Sequence, residues 1–146
     1  MFHYTDCGLD NVWLKNGYTE VKSDYGNAVS FTDLEGLHKA IGLKIINCNS
    51  KLTGQELRFL RNELDLTQNH LAEILGVSEN SIRAWENDRN TITSPSDRMI
   101  KVLYNEHATN NGVVRAALEK LSQMNRAEHS KRIELETTDH GWKTAA

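Results

Sequence analysis

Apolar residues in the middle of the chain recur at steps of three and four, the period of a helix with one buried face. The series run Leu57, Leu60, Leu64; then Leu71, Leu75; then Ile82, Trp85; then Met99, Ile100, Leu103, Tyr104. Each is preceded by a starting signal. Thr53-Gly54-Gln55-Glu56 has the form of a capping box, and Thr67-Gln68 opens the second series. Ser78 suits an N-cap, and Ser94-Pro95-Ser96 puts proline in a first turn. Residues 67–86, TQNHLAEILGVSENSIRAWE, therefore predict two short helices joined by a tight turn. Gly76 opens that turn, where a left-handed backbone is cheap only without a Cβ. Val77 closes it from the apolar side, and Ala72 is small where the helices cross. Glu79, Asn80, Ser81, Arg83 and Ala84 are left facing outward on the second helix.

Two helices so joined can lay the second into the major groove of DNA. The pattern resembles the helix-turn-helix of the Xre/Cro/phage-repressor family, from about Leu52 to His107. Thr67-Gln68 stands where that family has its Thr-Gln pair. Trp85-Glu86-Asn87-Asp88-Arg89 stands at its "W-E-x-G-x" step, with Asp88 where Gly is usual. An Arg on the family's first helix pairs with the Glu of that step, and Arg61 and Glu86 match those positions. A helical hairpin with no DNA role would show the same apolar steps, so the weight rests on how many spaced constraints agree. The resemblance implies a five-helix domain in a sequence-specific DNA-binding transcriptional regulator, a dimeric repressor on a palindromic double-stranded operator.

Base readout then falls to Glu79, Asn80, Ser81, Arg83 and Ala84: Asn suits adenine, Arg suits guanine, and Glu accepts from cytosine. Thr67 and Gln68, at a helix start, and Arg89, past the second helix, are the phosphate candidates. Arg61 and Glu86 are the expected structural salt bridge.

On either side of this block the patterning changes, giving a mainly α chain with a small α+β N-terminal part. We divide it into residues 1–50, 51–108 and 109–146. Val12–Lys15 and Tyr18–Lys22 flank Asn16-Gly17, a strong hairpin signal. A second turn, Tyr25-Gly26-Asn27, leads to Ala28–Phe31. Thr32-Asp33-Leu34-Glu35 reads as another capping box, opening a helix with Leu34, Leu37, Ile41 and Ile45 on one face. Asn47–Lys51 is a short polar joint. After the breaker Asn110-Asn111-Gly112, one more amphipathic helix carries Val113, Val114, Ala117, Leu118, Leu121 and Met124. That stripe suits either a cover for the helical block or a dimer contact. Lys131–Glu136 alternates like an edge strand, and Thr137–Ala146 reads as a mobile tail.

Residues Tyr4 to Tyr18, YTDCGLDNVWLKNGY, resemble the start of regulators related to MqsA/YgiT-type antitoxins. The resemblance implies an alternative: a type II antitoxin whose N-terminal part binds a toxin protein while the helical part represses their operon. That family's zinc-holding Cys-x-x-Cys pairs are absent. Trp13 and Tyr18 are the partner-binding candidates. Aromatics at alternating strand positions are more often core, so an exposed Trp13 would favour the partner reading.

Composition adjusts this picture. The net charge is −3 and the pI near 6.1, whereas many DNA binders are basic. Residues 51–108 hold seven Lys or Arg against nine Asp or Glu. Few phosphate contacts per subunit are therefore expected, and dimerisation to make up for them. Two cysteines are too few for a disulfide framework. His3, Cys7, His38 and Cys48 can be assembled into a metal site on paper. Cys48 reads better as a small buried hydrophobe and Cys7 as the residue before a turn glycine, so no metal or other cofactor is expected. No catalytic spacing stands out among the six histidines, and the chain is not read as an enzyme. No membrane span or N-terminal signal is evident, which makes the cytoplasm the expected location, away from any membrane.

Overall fold

The structure, a computed structural model, describes residues 1–123 and 132–145. Among these it has six helices and three two-stranded antiparallel sheets. The architecture is mainly helical with a small β part. The four middle helices grow from the predicted start signals. In α2 (Gly54–Glu63) the Thr53 side chain accepts from Glu56 N at 3.2 Å, and Glu56 Oε1 accepts from Thr53 N at 2.9 Å. Thr67 caps α3 (Gln68–Leu75), Ser78 caps α4 (Glu79–Glu86), and proline lies in the first turn of α5 (Ser94–Ala108). Leu57, Leu60, Leu71, Ile82, Ile100, Leu103 and Tyr104 meet in one core. Phe59, Ile74 and Ile92 join it although the helical steps did not single them out. The block 51–108 holds four helices rather than five. α1 (Leu34–Ile46) precedes it and α6 (Val113–Ser122) follows.

The N-terminal part departs from the expected hairpin. Asn16-Gly17 does not join paired strands. β2 (Trp13–Leu14) pairs with β1 (Phe2–His3), and β3 (Tyr18–Ser23) pairs with β4 (Gly26–Phe31) around Asp24-Tyr25. Gly17, at φ +81°, is a corner between the two sheets, and its carbonyl accepts from Thr32 N at 2.8 Å. Aromatic packing explains the choice. Phe2 lies 5.2 Å from the Tyr18 ring and 5.7 Å from Phe31, and buried Tyr4 meets Phe31 edge-on at 5.0 Å. Those contacts, unlike a local turn preference, require β1 beside β2.

The α1 cap also shifts by one residue. Thr32 is spent closing β4, and Asp33 takes over with φ +48°, its side chain accepting from Gly36 N at 3.1 Å. A short carboxylate tolerates that conformation and reaches an amide one turn on. Ile41 and Ile45 are buried and Leu37 partly so, while Leu34, in the first turn, stays exposed.

α1 packs along α5, with Gly42 against the ring of Tyr104. Two polar ties reinforce the join. Asp97, buried in α5, accepts from Leu52 N at 2.8 Å and from Lys101 Nζ at 3.0 Å. Lys101 Nζ also reaches the Ser50 carbonyl at 2.9 Å, which fixes the polar joint. The second tie links Tyr4 to His38 Nε2 and His38 Nδ1 to Glu63 Oε1, each at 2.7 Å. A carboxylate only accepts, so Nδ1 is the donor to Glu63, and Nε2 pairs with the Tyr4 hydroxyl. Burial raises the Tyr4 phenol above its ordinary pKa, with Cys7, Asp6 and Glu63 adding, which keeps it a donor. Burial also raises Tyr104, with Glu63 second.

At the far end, α6 packs on α3 and α5 through partly buried Val114 and Leu118, leaving Val113 and Leu121 exposed. Its amphipathic stripe thus covers the helical block with half its width. Met124 and Lys131 lie outside the described residues. The tail expected to be mobile instead forms a hairpin, β5 (Leu135–Thr138) with β6 (Gly141–Thr144). The Thr138 hydroxyl donates to the Gly141 carbonyl at 2.9 Å and accepts from His140 N at 3.2 Å, bracing a turn that the alternation alone did not reveal. Cys48 is exposed rather than buried, because α1 ends at Ile46 and the thiol follows in the turn. Among the described residues no helix is long and apolar enough to cross a membrane.

The closest backbone approach is testable. A Cβ on Gly54 would collide with the main-chain carbonyl of Glu86. Gly54→Ala should therefore cost about 2 kcal/mol despite improving helix propensity, read as a lower urea midpoint at unchanged slope.

Candidate nucleic-acid interface

The turn between α3 and α4 has the geometry its residues call for. Gly76 ends α3 at φ +71°, its N–H turned back on the helix, and Val77 N donates to the Ala72 carbonyl at 3.0 Å. Ala72 is buried at the crossing and Leu71 and Ile82 are fully buried beneath it. Burial of Ile82, Trp85 and Glu86 on one side of α4 fixes which side is outward.

The outward residues are not independent side chains. Arg83 Nη2 donates to Glu79 Oε1 at 2.8 Å, and Arg83 Nη1 to Asn80 Oδ1 at 3.2 Å. The other oxygen of Glu79 accepts from Asn69 Nδ2, on α3, at 3.3 Å. Ser81 is tied to the cap, its hydroxyl 2.9 Å from that of Ser78. Asn80 and Arg83 are exposed; Glu79, Ser81 and Ala84 are half-buried. The Thr67 hydroxyl accepts from His70 N at 3.0 Å. Gln68 beside it is half-buried in the first turn of α3, and Arg89 is exposed three residues past α4.

Beneath this surface lies the one charged group of α4 that is buried. The Glu86 carboxylate receives Arg61 twice, Nε at 2.9 Å and Nη2 at 3.0 Å. Arg58 Nε adds a third bond at 3.2 Å. Arg61 Nη1 also donates to the Leu66 carbonyl at 2.9 Å, so one guanidinium ties α2, the loop after it and α4. Arg58 was missed from sequence, although it sits one turn before Arg61 on the same helix face. Asp88, read from the sequence as standing where the resembled pattern has Gly, adopts φ +57°. Its carboxylate accepts from Gly54 N at 3.0 Å, which explains why Asp serves there: it takes the turn and caps α2.

Residues 54–106 match the family model of a helix-turn-helix domain. The match runs from the first residue of α2 to the last turn of α5, just over a third of the chain. No curated protein and no solved structure matches the chain. In a helix-turn-helix the second helix of the pair is the one placed in the major groove. That helix is α4, with Asn80 and Arg83 on its open side.

A second surface lies on the N-terminal part. Trp13 is 56% exposed and stacks on His3 at 4.1 Å with the rings nearly parallel. Its partner position on β1 explains this: Phe2 and Leu14 face inward, so His3 and Trp13 face out. Trp13 rims a groove of about 410 Å³ floored by Leu9, Val12, Leu37, Ile41 and Ile45. Tyr18 is half-buried against Phe2 and so belongs to the aromatic cluster rather than to this surface. Among the described residues no group of His, Cys, Asp or Glu is placed to hold a metal.

The buried carboxylate predicts an order of failure. Glu86→Ala should lower stability by about 3 kcal/mol, because Arg61 is left enclosed without its partner. DNA binding should fall only as the folded fraction falls. An unshifted melting midpoint with lost binding would place Glu86 at the DNA instead.

Proposed function

We propose that the chain is a sequence-specific, DNA-binding transcriptional regulator of the Xre type, acting in the cytoplasm as a dimeric repressor. The observation that carries this is the orientation of α4: Ile82, Trp85 and Glu86 are locked inward, and Asn80 and Arg83 are presented outward from a helix-turn-helix. In the groove, Asn80 suits adenine and Arg83 suits guanine. Glu79, Ser81 and Ala84 border the same base steps. Thr67, Gln68 and Arg89 flank α4 and are the phosphate anchors of this reading. One helix reads few base pairs and the module is not basic, so two copies are needed. We assign the dimer contact to the region after Asn110, where Val113, Leu121, Leu135 and Trp142 remain exposed.

Selection of binding sequences from random duplex DNA tests this. The full chain should select a palindrome with half-sites about one helical turn, ~34–36 Å, apart. Asn80→Ala and Arg83→Ala should each cost ~1–3 kcal/mol on that site and relax one base pair. Wild-type affinity in both variants, with the fold intact, would remove α4 from the groove.

Exposed Trp13 favours a second, compatible role: an antitoxin whose N-terminal part holds a toxin protein. An apolar groove rimmed by an outward indole is the form of a protein contact. If a toxin is encoded beside this chain, it should co-purify with the wild type, and Trp13→Ala should lose it while binding DNA normally. Retention by the variant would move the contact elsewhere.

A further inference from the structure

We propose that Asn69 and Glu79 form a brace that presets Arg83 for guanine. Asn69, on the first helix of the pair, then determines which base the second helix reads. This rests on the reading above that α4 enters the major groove. Both oxygens of Glu79 are engaged, one by Asn69 Nδ2 at 3.3 Å and one by Arg83 Nη2 at 2.8 Å. In this proposal Glu79 is a positioning residue, held from two sides, rather than a reader of cytosine. A cytosine amine would have to share an oxygen with a donor already in place.

The brace acts on Arg83 in two ways. It fixes direction: Nη2 is held by Glu79 and Nη1 by the Asn80 amide oxygen, one turn apart on the helix. A guanidinium has five N–H groups, so three remain for the O6 and N7 acceptors of guanine. A long side chain that is 53% exposed would otherwise lose several rotatable bonds on binding. The brace also sets charge. A carboxylate within hydrogen-bond distance offsets much of the guanidinium's pull on any phosphate. Arg83 is then poor at gripping backbone at random and good only where two acceptors face it. Asn69 adds what Glu79 alone lacks. As an i,i+4 partner, Glu79 moves with α4, whereas Asn69 ties its carboxylate to the neighbouring helix.

The test uses the full chain and the site selected above, with base preference and salt dependence measured for Asn69→Ala, Glu79→Ala, Glu79→Gln and Arg83→Ala. Asn69→Ala and Glu79→Ala should flatten preference at the same base pair that Arg83→Ala flattens, by roughly tenfold. Asn69→Ala added to Arg83→Ala should change nothing further. Glu79→Ala should also tighten binding to random DNA and steepen its log–log salt slope by about 1, because a masked cation is released. A merely structural role would weaken both kinds of binding together. Glu79→Gln, which keeps one acceptor, should retain part of the preference. If Arg83→Ala flattens a base pair and Asn69→Ala does not, the brace is overturned and the groove reading stands. If Arg83→Ala flattens nothing, the groove reading fails and the brace with it.

Discussion

A single carboxylate, that of Glu86, holds the helical part in its working shape. It ends α4 on the buried side, and no water reaches it to offset the cost of its charge. Two guanidiniums from α2 take that place. A buried charge with one partner missing is costly, so the arrangement is all or nothing. The bidentate Arg61 also fixes angle, because a planar fork meets a planar carboxylate in few ways. The tilt of α4 against α2 follows, and with it the direction in which Asn80 and Arg83 leave the surface.

Around that bond, the chain uses small residues and caps to bring main chain close to main chain. Gly54 lets the start of α2 lie on the end of α4, and Asp88 closes the gap from the other side with its carboxylate on the Gly54 amide. The helix-turn-helix thus has two ties at the exit of α4, one ionic and buried, one a cap and half-exposed. The outward face can then be built from side chains that hydrogen-bond to each other, since these two ties already hold α4 against α2.

The helical block was legible in the sequence because its cues are local. A cap, an apolar step and a turn glycine each act within four residues, and they agree from Thr53 to Tyr104. The pairing of Arg61 with Glu86 came from the resemblance rather than from any local cue. What was misread depended on distant partners. Asn16-Gly17 carries a strong hairpin signal, yet Phe2 competes for the same strand and the aromatic cluster decides. Thr32 looks like a cap, but its amide is already committed to Gly17. The brace from Asn69 to Glu79 spans two helices, and nothing in the spacing of either residue announces it. The C-terminal hairpin hid in a segment whose apolar residues are too sparse to mark two strands.

The contact of Gly42 with Tyr104 has a consequence for how the molecule comes apart. Tyr104 is 1% exposed, and its ring lies against Gly42 of α1. The same core that carries α4 therefore extends into the N-terminal part, through Ile41, Ile45, Leu9 and Tyr4. A core shared in this way should melt as a unit, without a separate early loss of its first fifty residues. Mass action then reaches across it: any molecule that binds only the folded N-terminal surface raises the melting temperature of the helix-turn-helix as well.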